Sequence, residues 1–200
     1  GMYGNDFDLV GVITGIVEKD EIITGEKIAP GHVAIGLGSN GLHTNGFSLA
    51  RKIVFDICKY SVDTVLPELG ESVGEALLKP HICYYPAIRE AQQNKIALDG
   101  IAHITGGGLY DNVPRILPEG IGVVFDKVKA LPVPPIFKLL VEKGEVSHQE
   151  AYRVFNMGVG MAIVVAKEDV DVALATLREA GEDPVVLGAL EVGEKGIILE

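Results

Sequence analysis

The stretch from residue 36 to residue 46 combines four glycines with five short polar residues, Ser39, Asn40, His43, Thr44 and Asn45. Glycines let backbone N–H groups approach a ligand without obstruction by Cβ, and the polar side chains add further donors. With a helix predicted directly behind it, the stretch is typical of a phosphate or anion cradle. The alternative is an ordinary turn with Thr44 or Asn45 as N-cap, although one turn needs fewer such residues.

His43 is the titratable side chain inside this first loop. Imidazole changes charge near neutral pH, so His43 is a candidate to bind phosphate as a cation or to transfer a proton. A merely exposed histidine in a polar loop is the alternative.

A second loop follows a predicted strand and enters a short helix at Thr105-Gly106-Gly107-Gly108. Three consecutive glycines exceed what a strand-to-helix turn requires, and they favour a second anion-binding nest. A third cluster, at 155–160, has glycines at Gly158 and Gly160. Close packing of strands explains that cluster equally well.

Other site types find less support. Residues 36–41 match GxGxxG, but the helix does not begin at once and Asp56 follows too early for a dinucleotide fold. His32, His81 and His148 are isolated in sequence, and without ligand spacing we expect no metal site made by protein alone. No nucleophile signature is present.

The composition excludes several classes of protein. The chain has 200 residues, of which 48% are hydrophobic, and a net charge of −11. The negative charge argues against binding to nucleic acid or to an anionic membrane surface. No apolar run approaches the ~18 residues of a membrane span. Two cysteines 25 residues apart, without CxxC pairing, favour free thiols and a cytoplasmic location.

Alternating patterns predict the elements that must position these loops. Strands are expected at 7–17, 32–37, 100–104, 121–126, 158–166, 185–190 and 196–199. Helices are expected at 47–59, 71–79, 84–95, 109–116, 136–143, 148–154 and 168–180. A polar hairpin or domain boundary is expected at 18–31. Strands alternating with helices give an α/β sandwich, and the closing strand pair indicates a mixed sheet.

Three blocks, in this order and spacing, resemble the C-terminal half of the phosphoribosylformylglycinamidine cyclo-ligase family, also called aminoimidazole ribonucleotide synthetases. They are GLGSNGLHTNGFSLARKI, AHITGGGLYDNVPRILPEG and EAYRVFNMGVGMAIVV. The opening MYGNDFDLVGVITGIVEKDEII is similar to the segment just before that half. The resemblance implies that residues 1–30 end an N-terminal ATP-binding domain and that residues 31–200 form the C-terminal α/β domain.

The resemblance also implies a function. The family closes an imidazole ring in purine biosynthesis with ATP and Mg²⁺, both expected mainly from the N-terminal domain, which also makes the family's homodimer. His43 would then be catalytic, and nine residues would bind the nucleotide substrate or its phosphate: Ser39, Asn40, Gly41, Thr44, Asn45, Thr105, Gly106, Gly107 and Gly108. We expect no ring closure by this chain alone. A stand-alone phosphate-binding or regulatory module, and a fragment of a relative such as selenophosphate synthetase, remain the alternatives.

Overall fold

A computed structural model describes residues 10–125 and 131–199. Its strands are β1 (Val33–Gly38), β2 (Val65–Leu66), β3 (Glu71–Ser72), β4 (Gly100–His103), β5 (Ile121–Phe125), β6 (Val159–Val165), β7 (Val185–Val192) and β8 (Gly196–Leu199). Six of them form one sheet in the order β4-β6-β1-β7-β5-β8. Neighbours are antiparallel except β5 and β8, which run parallel, so the predicted mixed sheet is confirmed.

Helices cover both faces of this sheet. They are α1 (Phe47–Arg51), α2 (Val73–Leu77), α3 (Tyr85–Gln93), α4 (Gly108–Asn112), α5 (Pro135–Lys143), α6 (His148–Val154) and α7 (Val170–Glu179). The chain continues from α1 into a π-helical segment, Lys52–Ile57. Short 3₁₀ turns lie at Lys19–Glu21, Val113–Ile116 and Lys167–Asp169.

The central strands alternate between two separate cores. On one face, Ile35 and Leu37 of β1 and Ile163 and Val165 of β6 pack under α3 and α7. On the other face, the intervening residues of the same strands, such as Ala34, join the larger core that the remaining helices cover. Because successive strand residues point to opposite faces, continuous apolar runs of this kind are what a doubly covered sheet requires. The α/β sandwich is therefore confirmed.

Side-chain caps fix two of the helix starts. Ser72 and Glu75 form a capping box at α2, in which each side chain accepts a hydrogen bond from the other residue's backbone N–H. Ser147 accepts from the N–H of Glu150 at α6. The predicted cap of α1 is wrong, because Gly46, with φ of 79°, occupies that position and neither Thr44 nor Asn45 does.

Two sequence predictions fail at the level of elements. No strand forms at 10–17; residues 7–9 of that predicted strand, and Asp126 of another, lie outside the described residues. Of the two alternatives for 18–31, the hairpin does not form. The two closing strands are not neighbours, because β8 crosses to the far side of β5. The small β2–β3 pair was not predicted. No helix among the described residues is long and apolar enough to cross a bilayer.

Gly188 of β7 tests how closely the sheet is packed. A Cβ at this position would overlap the backbone carbonyl of Val124 in β5, whereas Gly193 has nothing within 4 Å of its Cβ position. We expect Gly188→Ala to lower the free energy of unfolding by about 2 kcal/mol, because backbone cannot yield as a side-chain tip can. Urea unfolding measures the change. Gly193→Ala is the matched control, and equal stabilities of the two variants would contradict the packing described here.

Candidate functional site

The first glycine-rich loop is anchored by a buried side chain from elsewhere in the chain. Asn156, 3% exposed, lies between α6 and β6. Its Oδ1 accepts from the Ser39 hydroxyl at 2.6 Å and from the Gly158 N–H at 2.9 Å, and its Nδ2 donates to the Gly41 carbonyl at 2.8 Å. One amide thus satisfies buried groups of two loops at once, which fixes their relative position.

The second loop is held in the same way by another buried asparagine. Asn112 of α4 donates through Nδ2 to the carbonyl of Gly108 at 2.7 Å and to that of Gly106 at 3.2 Å. Its Oδ1 accepts from the Thr105 hydroxyl at 3.0 Å. Backbone that would otherwise be free to adopt many conformations is therefore held in one.

Two glycines allow the loops to approach the α6 end. A Cβ at Gly108, whose φ is 57°, would overlap the Tyr152 carbonyl, and a Cβ at Gly46 would meet the Phe155 ring. Any larger residue would push the loops off this shared support. The third glycine cluster is also explained by packing, because a Cβ at Gly158 would meet the Pro132 carbonyl and a Cβ at Gly160 would overlap the Tyr84 hydroxyl.

The two loops meet at the surface. The Oδ1 atom of Asn45 lies 3.5 Å from the Cβ position of Gly106, so the side chain of one loop sits beside the backbone of the other. Thr44 and Gly106 are exposed, and Asn45 and Gly107 are partly exposed. Within the described part of the chain, the N–H groups of Gly106 and Gly107 donate to no backbone carbonyl. These groups are available to an anion.

Three histidines form a stack along one side of the two loops. The ring of His43 lies on that of His81, with centroids 4.0 Å apart and 22° between planes. His81 in turn contacts His103, with 3.1 Å between their Nε2 atoms. Exposure increases along the stack, from His43 at 5% through a partly buried His81 to an exposed His103.

Polar neighbours fix the buried end of this histidine stack. Asn40 Oδ1 lies 3.0 Å from His43 Nε2, while Asn40 Nδ2 donates to the Pro80 carbonyl at 3.0 Å. Tyr84 packs at 6.2 Å from the His43 ring and donates its hydroxyl to the Gly38 carbonyl at 2.6 Å. Nδ1 of His43 is buried and has no hydrogen-bond partner among the described residues.

The electrostatics of the stack favour the neutral form of His43 and of His103. Burial, followed by repulsion from His81 and His103, lowers the pKa of His43 from 6.5 to about 4. Burial and His81 also lower the pKa of His103. Burial, and to a smaller extent Glu182, raises the pKa of Tyr84. His43 is therefore uncharged at neutral pH in the free protein, which disfavours the cationic role considered from sequence.

The structure divides the predicted site residues into two groups. Ser39, Gly41, Thr105 and Gly108 use polar groups to hold the loops together. Thr44, Asn45, Gly106 and Gly107 form the accessible rim, and Asn40 and His43 lie beside it.

His81, which is isolated in sequence, is stacked on His43 by the folding of the chain, a contact that the sequence did not indicate. His32 and His148 lie elsewhere, the former 3.1 Å from Asp99 and the latter against Tyr152. Asn112, Asn156 and Tyr84 were missed as supporting residues. An asparagine directly before the left-handed residues Met157 and Gly158 was the one available signal.

No group of three or more His, Cys, Asp or Glu side chains within residues 10–125 and 131–199 is arranged to hold a metal ion. The donors that the loops present are backbone N–H groups, hydroxyls and amides. These donors suit the oxygens of an anion and not a divalent cation, which prefers carboxylates.

Comparison with known families agrees with this loop architecture. Residues 29–199 match the family described as "AIR synthase related protein, C-terminal domain". The chain belongs to this family. Both glycine-rich loops and the histidine stack lie inside the matched region, so they are part of the AIR synthase related C-terminal domain itself.

Curated relatives of this AIR synthase related domain are named phosphoribosylformylglycinamidine cyclo-ligase. The protein of Lachnospira eligens is 44% identical over 195 residues, covering 98% of this chain and 57% of its own length. That of Alkaliphilus oremlandii is 44% identical over 200 residues, covering 100% and 58%. The chain thus spans a little over half the length of these relatives.

Solved structures support the fold. A thiamine-monophosphate kinase from Stenotrophomonas maltophilia superposes with a TM-score of 0.61 at 13% identity, over 92% of this chain and 54% of that one. At this identity the likeness concerns architecture alone.

Asn156 tests the anchoring of the first loop. We expect Asn156→Ala to lower the free energy of unfolding by at least about 2 kcal/mol, because it leaves buried partners at Ser39, Gly41 and Gly158 unsatisfied. Chemical denaturation measures this. Asn94→Ala removes an exposed asparagine that bonds only within its own turn, and its cost should stay below about 1 kcal/mol. A cost no larger at position 156 than at position 94 would refute the anchoring role.

The lowered pKa of His43 predicts that the stability of the protein depends on pH. The folded pKa of this histidine, about 4, lies below the ordinary 6.5 of an unfolded chain, so the unfolded state binds more protons between these values. Its stabilising contribution is complete above pH 6.5 and is lost as the pH falls towards 4. We expect the unfolding free energy of the parent protein to fall more steeply than that of His43→Gln across this window. Parallel curves in denaturant titrations from pH 7.5 to 4.5 would contradict the prediction.

Proposed function

We propose that the chain supplies the C-terminal half of a phosphoribosylformylglycinamidine cyclo-ligase and binds the phosphate-bearing substrate at the rim formed by its two glycine-rich loops. The observation that carries the proposal is the meeting of those loops at Asn45 and Gly106, within a chain 44% identical over its whole length to curated cyclo-ligases. Together the loops place N–H donors that have no backbone acceptor beside polar side chains on one surface.

The reaction suits a site of this kind. ATP phosphorylates the formyl amide oxygen of formylglycinamidine ribonucleotide, and an internal nitrogen then displaces phosphate to close the imidazole ring. Such chemistry depends mainly on positioning and on stabilising phosphate charge. In this proposal Thr44, Asn45, Gly106 and Gly107 bind and orient the substrate, Asn40 and His43 lie beside the reacting end, and the buried asparagines hold all of them in place.

ATP and Mg²⁺ are assigned mainly to the N-terminal part of the cyclo-ligase. The described residues offer amide and N–H donors that fit phosphate oxygens, but no carboxylate cluster that would fit Mg²⁺. When bound, the metal would neutralise nucleotide phosphate charge. We therefore expect this chain alone neither to bind ATP tightly nor to turn over substrate.

The domain boundary is placed near residue 30, with residues 1–30 completing the preceding ATP-binding domain and residues 31–200 forming the C-terminal domain. The family match begins at residue 29. Four β-branched side chains before it, Val10, Val12, Ile13 and Ile16, are 85–99% exposed. A segment this apolar gains stability only by packing on further structure, which supports assigning it to the neighbouring domain.

Partner and location follow from the same assignment. We propose a homodimer for the full-length enzyme, through its N-terminal domain, and a cytoplasmic location. Cys58 and Cys83 are both free, and Cys83 is exposed, which suits a reducing compartment.

The alternatives predict different observations. A stand-alone phosphate-binding or regulatory module would bind its ligand at full strength without any further domain. A selenophosphate synthetase fragment would be preceded in its reading frame by a catalytic cysteine or selenocysteine. The 44% identity to cyclo-ligases over the entire chain favours the cyclo-ligase.

Titration with formylglycinamidine ribonucleotide tests the proposed site. We expect amide shifts concentrated in residues 39–46 and 105–108, and at least a tenfold weaker affinity in Asn45→Asp, because the added charge repels phosphate. Asn94→Asp carries the same change at a distant exposed position and should bind like the parent. No response at millimolar ligand, or equal weakening by both variants, would refute the site. Ring closure by the chain alone would refute the assignment of ATP to the other half.

A further inference from the structure

The histidine stack connects the two loops that bind the anion in the proposed function. His43 belongs to the first loop, between Asn40 and Asn45, and His103 ends β4 two residues before Thr105. His81 lies between them, in contact with both rings. A proton taken up in this stack would therefore lie on residues that adjoin both loops in the chain and contact one another.

The hydrogen bonds of Asn40 determine which nitrogen of His43 carries the proton. Because the Asn40 amide nitrogen donates to the Pro80 carbonyl, its oxygen faces His43 and can only accept. Nε2 of His43 must therefore be the N–H donor, and Nδ1 is left as a bare lone pair. A second proton at Nδ1 would be buried without an acceptor and stacked against His81.

The His81–His103 pair is suited to hold an added proton. In the neutral pair one Nε2–H donates to the other Nε2 across 3.1 Å. When the pair binds one further proton, the N–H between the rings remains in place and its hydrogen bond becomes charge-assisted. Two further protons would put an N–H on both Nε2 atoms, which would then face and repel each other. His103 is also exposed, so its charge costs less than a charge on His43.

Side chains from several elements border the stack. Tyr84, from the segment before α3, stays neutral because burial, and secondarily the nearby Glu182, raises its pKa. Lys79, after α2, packs near Gly41, and its ammonium group pairs with Glu71 at 2.7 Å. Asn40, which contacts His43, is uncharged.

We propose that the site takes up one proton together with a phosphate group, and that this proton goes to the His81–His103 pair and not to His43. The proposal rests on the proposed function for the phosphate, but its order of titration concerns the free chain alone. His81 and His103 act as positioning residues that keep His43 neutral and supply the charge beside it.

Histidine side-chain NMR of the free chain tests the order of titration. Between pH 8 and 4, the His81–His103 pair should titrate before His43, and His43 should keep its proton on Nε2 throughout. His81→Gln should raise the pKa of His43 from about 4 towards 6.5, because it removes the stacked ring. His148→Gln should leave it unchanged. Titration of His43 before the pair would overturn the inference, whether or not the chain binds phosphate.

Sulfate binding tests the proton uptake, because sulfate keeps two negative charges throughout this pH range. Calorimetry in buffers of different protonation enthalpy should give uptake approaching one proton per sulfate near pH 7. Affinity should weaken about tenfold per pH unit above the pKa of the pair. His103→Gln should abolish the uptake, and His148→Gln should retain it.

The outcomes of the sulfate experiment separate the two proposals. Binding with an affinity independent of pH would overturn the inference and leave the anion site standing. Absence of binding at every pH would overturn both.

Discussion

The candidate site depends on the cost of burying an amide without partners. A buried side-chain amide that lacks hydrogen bonds costs several times what one bond contributes, so its surroundings have to match it. Asn156 and Asn112 each meet this requirement by bonding to the backbone of a glycine-rich loop. The loops are held in one conformation as a consequence, and the N–H groups of Gly106 and Gly107 donate to no backbone carbonyl in the described part of the chain. Preorganised donors of this kind are what stabilises phosphate charge during transfer.

The cost of burial also determines where the histidine stack can carry a positive charge. His43 lies 5% exposed beside two other imidazoles, and all three influences on it oppose a positive charge. A site that recognised phosphate through a permanent cation at this position would destabilise the fold at neutral pH. Under the proposed function, recognition of phosphate would instead fall to neutral donors in the loops. Charge at the outer end of the stack, where solvent screens it, is compatible with the fold.

Local patterns were sufficient to predict most elements and both loops. Alternation located β6, and the glycine-rich runs located the loops, because these signals depend on neighbours in sequence. The pattern also predicted a strand at 7–17, and none forms in its described part, residues 10–17; strand propensity has no effect without a partner to pair with. Contacts between segments that are distant in sequence could not be predicted from local patterns. Nothing near His81 in sequence indicates His43, and the position of β8 beside β5 depends on a crossover that its own turn residues do not encode.

The glycines of the two loops fall into two groups with different physical roles. Gly46 and Gly108 are required where loops press against the α6 end, so side chains there would separate the elements. Gly106 faces solvent, with only Asn45 near its Cβ position, and packing does not require a glycine there. Under the proposed function, a glycine that packing does not demand, beside an N–H without a backbone acceptor and a polar side chain from another loop, would allow the close approach of an anion. The position that packing constrains least is thus the one where the proposed site makes its clearest demand on the sequence.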